Sequence, residues 1–597
     1  MTNPFIVKSP EDVDPAYISK YFVEIFTDFA KVQDRENTFI HGARGTGKSM
    51  MLRSLEATVM VVTSGRKLAD LPHFGVHVPL RKVDFGIPEL RRPAGALNVA
   101  VGEHFLSMHI IFRVCNALQS LASNLPTETM SNVAQIISEY FQASGGSLKQ
   151  VEPASIGALK DEFEIEILRL NQYLRRIAFG QAEVPYLGAL TGFLDFLVPV
   201  ATKLRSLPGF PDGPFFIMLD DADNLPKSMQ RIINSWVSTR SGSAICLKIS
   251  TQLGYATYRT LDQRLIESPH DFSEININSV YTSQRDRFNK RLQTIVSRRL
   301  EYLGISSSPA EYFPDDEGQR KRLEEISREI RQQWLSDPRN RDKDARGATD
   351  SVTRRAVPYL MRELSGSAKS SHTYSYAGFD SLVDLSSGVI RWFLEVASTM
   401  YAETVSDSDD GVRTVTEIPV RIQDSVIQKW SRSFAEDLLR HQEEKDGESD
   451  AFSDRSLHAS DPDGALSAQL HNLISALGRF FRSRLLDEAA SEQRVFSIVV
   501  RGKVSEDLRA VLDHGIRLGY LQQADNAAKE AVGGRYPRYI LARRLGPYFK
   551  LDVSGYAAHL SVTAEQLRIA AFDPAKFIRL RAKETEDSGK QLTFLEE

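Results

Sequence analysis

Residues 37–49 read NTFIHGARGTGKS: a short apolar run, then Gly42-Ala43-Arg44-Gly45-Thr46-Gly47-Lys48-Ser49, then an apolar pattern through Met51, Leu52 and Leu55. The spacing predicts a strand over 37–41, a glycine loop and a helix, the setting in which such a loop cradles phosphate. Glycine lets the backbone curl so that successive N–H groups converge on phosphate oxygens, and the helix that follows adds its positive dipole end. Lys48 is expected to reach the β and γ phosphates of ATP, and the Ser49 hydroxyl to bind Mg2+. The candidate nucleotide-contacting residues are therefore Gly42, Ala43, Arg44, Gly45, Thr46, Gly47, Lys48, Ser49 and Met50.

Outward from this loop, further strands are expected over 74–80, 215–219, 244–249 and 272–277. They alternate with helical patterns near 97–121, 129–142, 157–178, 186–205 and 227–239, and a helix over 17–30 precedes the first strand. Strands alternating with helices imply a parallel sheet covered on both faces. The third strand, FFIMLDD, delivers Asp220 and Asp221 to the carboxyl edge of that sheet, where ligands bind in open α/β folds. Asp220 is expected to hold Mg2+ through water and Asp221 to polarise the attacking water. Asp at the second position is a shorter arm than Glu, which suits slow turnover. Ser250, Thr251 and Gln252 end the next strand; Thr251 is the candidate to sense the γ-phosphate, against the plainer reading of an ordinary polar strand end.

From Arg285 the periodicity is helical to about 401, interrupted by the polar run 336–351, read as a solvated loop. The stretch 384–394, DLSSGVIRWFL, invites comparison with the LSGGQ signature of transporter-type ATPases, but that signature precedes the Asp strand and this one follows it. The better reading is a lid helix opened by Ser387-Gly388, with Arg391 turned toward the γ-phosphate while Trp392, Phe393 and Val396 pack. Arg259 and Arg264 lie between the fourth and fifth strands. Either inserts into a neighbouring copy's site, with Arg264 the candidate, or forms a surface ion pair.

Residues 443–464 hold eight acids and only Phe452 and Leu457 as large apolar groups, marking a flexible linker. Beyond it come a helix bearing Leu473, Leu477, Phe480 and Phe481, a strand over 495–500, a helix over 505–517 and two strand-like runs split by Gly533-Gly534, a winged-helix-like pattern. There Arg535, Arg538, Arg543 and Arg544 cluster with Tyr536 and Tyr539. Cations interleaved with aromatics fit nucleic-acid contact; a solvated hairpin fits as well.

A chain of 597 residues is too long for one core. Its 42% apolar and 25% charged residues describe an ordinary globular protein. Two cysteines, Cys115 and Cys246, exclude a disulfide framework and a cysteine-rich zinc site. With neither a signal-like start nor a long unbroken apolar run, the expectation is a cytoplasmic protein without a membrane partner. A net charge of -4 does not advertise DNA binding, though a local basic face is compatible with it.

Taken in order, NTFIHGARGTGKS, FFIMLDD, the strand ending in Ser250 and Thr251, SSGVIRW and the terminal winged-helix-like region resemble the origin-recognition-type branch of AAA+ ATPases. The likeness is greater to bacterial ORC-like AAA ATPases, often met in mobile-element and anti-phage defence neighbourhoods. The resemblance implies Walker A at Gly42 to Ser49, Walker B at Asp220 and Asp221, sensor 1 at Thr251 or its neighbour and sensor 2 at Arg391. It implies an α/β P-loop AAA+ core with a parallel sheet over 1–284, an all-α lid over 285–442, the linker over 443–464 and a small winged-helix-like α+β domain over 465–597. Roughly 170 residues separate Lys48 from Asp220, so a helical insertion is expected at about 128–205. The leading expectation is an ATP-driven, ATP-hydrolysing switch using Mg2+. Its implied partners are DNA through the C-terminal domain, a protein encoded nearby, or further copies in an ATP-dependent homo-oligomer. A DNA-binding initiator or transposon-target selector, and a signalling-type ATPase acting through proteins alone, stay open beside it. A small-molecule kinase fits the lid and tail poorly.

Overall fold

The computed structural model describes residues 3–24, 29–81, 84, 95–147, 155–178, 186, 188–239, 244–252, 255–277, 285–340, 346–366, 373–407, 415–446, 462–488, 490, 493–529, 535–555 and 558–581. The chain divides into two compact units, Lys8–Val280 and a second formed by Met1–Val7 with Tyr281–Glu597.

In the first unit β1 (Thr38–His41), β2 (Phe74–Pro79), β3 (Phe215–Asp220), β4 (Ile245–Thr251) and β5 (Ser273–Asn276) form one sheet in the order β2-β3-β4-β1-β5. The pairings are parallel. Strands β1 to β4 are buried along their whole length, as unbroken apolar runs require of strands covered on both faces. The register sets His41 opposite Thr251 and Leu219 opposite Ile249, so β1, β3 and β4 finish level at one carboxyl edge. Gly75 of β2 passes so close to the end of helix Lys48–Ser54 that a Cβ there would meet the Leu55 carbonyl oxygen at 1.9 Å. That approach presses the loop helix onto the sheet.

Between β2 and β3 lie helices Gly95–Ser120, Thr127–Ala143, Ile156–Ala178 and Val198–Arg205, so the helical excursion starts earlier in the chain than the expected 128. Phe105, Phe141, Phe163, Phe193 and Phe196 join the same core as Phe74 and Phe215. A buried polar knot ties the excursion together. His104 Nδ1 sits 2.9 Å from Thr191 Oγ1 and its Nε2 3.0 Å from the Tyr186 hydroxyl, which donates to Glu166 Oε1 at 2.7 Å.

The second unit carries helices Arg285–Glu301, Glu317–Ser336, Arg346–Gly366, Phe379–Leu385, Ile390–Ser406 and Val420–Asp446. Its C-terminal part runs through helix Pro462–Leu486, β6 (Ser497–Arg501), helix Glu506–Leu518, β7 (Leu521–Lys529), β8 (Arg535–Leu541), β9 (Leu560–Thr563) and helix Ala564–Phe572. The sheet order is β7-β8-β6-β9, with β9 parallel to β6 and the other pairs antiparallel. The pair Gly533-Gly534 lies outside the described residues. Strand β9, a four-residue segment just before the capping box of Thr563 and Gln566, is too short to announce itself by periodicity.

Four sequence expectations change. The helix expected over 17–30 ends at Tyr21, because Phe22 leaves it in extended conformation and packs near Val13, Ile18 and Val59; residues 25–28 lie outside the described residues. The polar run 336–351 is largely helical at both ends, and the Trp334 ring closes over Gly347 so tightly that a Cβ there would come within 2.5 Å of it. Residues 3–7 belong with the second unit, where Asn3 Nδ2 donates to the Ser398 carbonyl at 2.8 Å, Arg299 donates to the Pro4 carbonyl at 2.6 Å and Phe5 packs on Tyr312 and Phe313. Lid and winged-helix-like part form one unit rather than two; of the linker between them, 447–461 lies outside the described residues. No described helix is long and apolar enough to cross a membrane.

Buried imidazoles, His73, His104 and His109 among them, give the first unit an acid sensitivity. His73, 1% exposed and stacked on Phe216, and His104, 0% exposed, are each pushed by burial down to about 4. An unfolded histidine binds its proton near pH 6.5, so between those values the unfolded chain holds more protons and stability falls as pH falls. Thermal unfolding followed across pH is expected to show a loss that begins near pH 6.5 and is complete near pH 4. At most it amounts to on the order of 3 kcal/mol per imidazole, and these two residues contribute no slope above pH 7.

Candidate functional site

The glycine loop leaves β1 with Gly45 and Gly47 in the left-handed region, at φ of 87° and 101°, where a side chain would be strained. Its base is pinned by the Gly42 N–H, which donates to the Thr251 carbonyl of β4 at 3.2 Å. Lys48 opens the following helix with its side chain folded across the loop, Nζ donating to the carbonyls of Gly42 at 2.8 Å and Ala43 at 3.2 Å. Thr46 Oγ1 also donates to Ala43, at 2.9 Å. Arg44 is exposed, whereas Met50 turns to the apolar cluster of Val13, Ile18 and Val59.

Asp220, 2% exposed at the end of β3, is where the elements converge. Ser250 Oγ of β4 donates to its Oδ1, and His77 Nε2 of β2 lies 3.0 Å from its Oδ2. The Ser49 side chain of the loop helix adds a weaker favourable influence on the charged carboxylate. Burial alone would raise the carboxyl, but His77, through its hydrogen bond and its charge, and then Ser250 overcome it and hold the group at about 2. It is therefore a carboxylate at any ordinary pH.

Asp221 follows in a left-handed conformation, φ 57°, with its N–H donating to Ser250 Oγ at 2.8 Å. Burial raises its carboxyl, the Asp220 charge raises it further, and Lys48 and Arg44 act against them. Asp223 is raised by burial, with the Gln252 N–H and the Lys48 charge opposing. Its Oδ2 accepts the hydrogen bond from Gln252, while Oδ1 is buried with no hydrogen-bond partner.

Among the described residues no group of three or more His, Cys, Asp and Glu forms a ready-made metal cage. Ser49 and Asp220 nonetheless supply the two hard oxygen donors that a magnesium ion shared with phosphate oxygens requires. The chemistry of the donor set fits.

The remaining expected residues fall elsewhere. Thr251 is fully buried, its Oγ1 2.5 Å from His41 Nδ1 and donating to the Gln252 carbonyl at 2.9 Å. Alternation along the strand gives the contact with Asp220 to Ser250 instead. Arg264 is held in its own loop by an ion pair with Asp271 at 2.8 Å, and Arg259 by the Gln263 carbonyl at 2.8 Å. Arg391 sits half-buried in the first turn of helix Ile390–Ser406, in the other compact unit.

The basic cluster is corrected most. Arg543 and Arg544, at 2% and 8% exposure, lie in the turn after β8 and face inward. The Arg543 N–H donates to Ser387 Oγ at 2.8 Å and its guanidinium to the carbonyls of Val553 and Gly555. The Arg544 guanidinium lies 3.9 Å from the ring centre of Trp430, 4.4 Å from Phe434 and 5.4 Å from Trp392. Burial pushes its pKa down to about 10, so it stays charged near neutrality. Beside it Tyr520 stacks on Phe434 at 4.1 Å, and Gln522 donates to the Ser387 carbonyl at 2.6 Å. Cations interleaved with aromatics here make an internal joint. Arg538 is half-buried with Nε donating to Ser497 Oγ at 3.0 Å, and the Arg535 side chain lies outside the described residues.

Sequence reasoning missed His77, the contact role of Ser250, and Asp223. His77 gains meaning only once β2 is known to pair with β3. Asp223 was legible in DDADN as a third acid, without a reason to single it out.

A family model described as ORC-CDC6-like matches residues 3–562. Among solved structures, the Orc1 protein of Aeropyrum pernix in complex with DNA is 12% identical, covering 96% of this chain and 97% of that one at a TM-score of 0.26. Cdc6p from Pyrobaculum aerophilum is 11% identical, with 95% and 99% covered at a TM-score of 0.25. At such TM-scores these likenesses carry no weight. No curated protein matches the sequence.

Truncating Arg544 to Ala is expected to cost on the order of 2–4 kcal/mol, because it empties the space between three aromatic rings and loses their attraction for the cation. Thermal unfolding with tryptophan fluorescence checks this: the melting point drops and the emission of Trp392 and Trp430 shifts to the red. A pure surface contact would leave both unchanged.

Proposed function

Because the chain belongs to the ORC-CDC6-like family of AAA+ proteins, we propose that it binds and hydrolyses ATP with Mg2+ as a conformational switch. One observation carries this reading: the buried carboxylate of Asp220, held charged by Ser250 and His77, lies at the carboxyl edge of the sheet where the glycine loop leaves β1 and opens the helix that carries Lys48 and Ser49. Ser49 and Asp220 are the two residues between which a nucleotide-bound magnesium would lie. Lys48 contacts the β and γ phosphates, and the curled backbone from Gly42 to Gly47 takes the remaining oxygens. The ion would neutralise charge on the phosphates; Asp220 is fixed to receive it by Ser250 and His77. A carboxylate of the turn after β3 polarises the attacking water, Asp221 being the first candidate.

Arg391, in the first turn of lid helix Ile390–Ser406, is the sensor-2 candidate that the family resemblance assigns to the lid. Ser387, just before its helix, lies against the winged-helix-like part through Gln522 and Arg543, so a lid movement driven by ATP carries that part with it. Arg264 as a contact to a neighbouring copy would first have to leave Asp271.

The burial of Arg543 and Arg544 favours a second reading within this one, a switch that acts through a protein partner rather than DNA. Arg535 and Arg538 remain the candidates for DNA. A role in defence or mobile-element control would be exercised through either route.

Lys48→Ala is expected to abolish ATP binding, and Asp220→Asn to lower magnesium-dependent turnover by at least 100-fold. A fluorescent ATP analogue and a phosphate-release assay measure the two effects, and wild-type behaviour in both variants would sink the assignment. Association of the protein in ATP without salt-dependent DNA affinity supports the protein route; DNA affinity that falls with salt and with Arg538→Ala supports DNA.

A further inference from the structure

We propose that a cavity of about 200 Å3 between β2, the end of the loop helix and helix Gly95–Ser120 binds a small oxyanion, a phosphate or carboxylate group held by Arg113. The cavity lies within the first unit and no residue of the glycine loop lines it, so its ligand is independent of the nucleotide reading above.

Arg113, Asn116, Ala117 and Ser120 of helix Gly95–Ser120 line the cavity. Their spacing puts them on one helical face, while Val114, Cys115 and Leu118 between them are buried in the core. Ala117, with nothing beyond its Cβ, leaves open the space that a longer side chain would fill. The remaining lining includes Arg53 in the last turn of the loop helix, Glu56 and Thr58 just after it, and Gly75 with His77 of β2. Through His77 the cavity lies one imidazole away from Asp220.

Every guanidinium around this space has its acceptors except one. Arg53 donates to the carbonyls of Pro10 and Val13 and to Glu56 Oε2, the last at 3.1 Å. Arg81 is paired with Glu11 at 2.6 Å. Arg113 is half-buried and, among the described residues, makes neither a hydrogen bond nor an ion pair. Burial acts against its charge and Arg81 adds to that; Glu11 and Glu56, the acids it feels most, already have partners, and Asp84 acts more weakly. The Thr58 hydroxyl and the Asn116 amide likewise make no hydrogen bond among the described residues.

A cation withdrawn from bulk water without an acceptor is costly. The planar fork of a guanidinium matches the paired oxygens of a carboxylate or phosphate, and Thr58 and Asn116 can add a hydroxyl and an amide donor. A metal ion fits poorly, because Glu56 is the one carboxylate of the lining and Arg53 already holds it. The volume of about 200 Å3 is smaller than the pockets that enclose drug-sized ligands, so the occupant is an anion of a few atoms rather than a nucleotide.

A glycine loop can itself take phosphate, so the test uses the full-length chain carrying Lys48→Ala. Titration calorimetry and thermal unfolding follow inorganic phosphate and acetate, each against sodium chloride of equal ionic strength. The Lys48→Ala chain is expected to bind one of these anions saturably and to melt higher as its concentration rises. Tighter binding of phosphate assigns a phosphoryl group, and tighter binding of acetate a carboxylate. Adding Arg113→Met is expected to weaken binding about tenfold or more and to abolish the anion-dependent rise. The melting point without anion then stays at or above that of the parent, since no protein partner is lost. Ala117→Leu fills the cavity, keeps every charge and is expected to lose the anion too; it decides the matter if the Arg113 variant does not fold. The proposal is overturned if neither anion binds saturably to the Lys48→Ala chain, or if Arg113→Met or Ala117→Leu binds as the parent does. A fall in the anion-free melting point of a folded Arg113→Met chain would make the arginine a packing residue and overturn it as well.

Discussion

A carboxylate at 2% exposure has no bulk water to stabilise its charge, so the end of β3 is stable only with donors gathered around Asp220. They come from two separate strands: Ser250 from β4 and His77 from β2. Each exists in place because the parallel register brings the strands to one edge together. The same charge that demands these donors would bind a divalent cation. Folding constraint and proposed chemistry therefore coincide at one side chain. Gly75 reinforces the arrangement, since only a residue without Cβ lets β2 pass beneath Leu55 and keep the loop helix seated.

The second unit is organised around a cation of another kind. Arg544 is buried among Trp430, Phe434 and Trp392, where ring faces replace part of its lost hydration. Arg543, beside it, spends its donors on backbone carbonyls and on Ser387. Ser387 and Gly388 hold positive φ just before the helix that carries Arg391. The start of the helix that carries Arg391 and the docking of the winged-helix-like part are thus separated by one short turn.

Much of the fold was legible. The unbroken runs FFIMLD and ICLKIS can only be central strands, and five strands were placed within a residue or two of their ends. The segments misjudged were those where one long-range contact overrides local pattern. The polar run 336–351 reads as loop, yet Trp334 against Gly347 clips its two helical ends. The basic cluster reads as a surface because arginine is usually exposed; nothing local announces that Trp392 and Trp430, more than 100 residues earlier, will enclose Arg544.

The sequence by itself determined the α/β class, the glycine loop and its lysine, the strand that ends in Asp220 and the resemblance that the family match bears out, because these depend on spacing within a few residues. Tertiary structure alone decided which polar group faces which: Ser250 rather than Thr251 on Asp220, His77 across from it, Asp223 with one oxygen tied to Gln252, and two arginines turned inward. Such pairings join residues distant in the chain. They are set by strand register and by the cost of leaving a buried charge or acceptor without a partner, neither of which a one-dimensional pattern records.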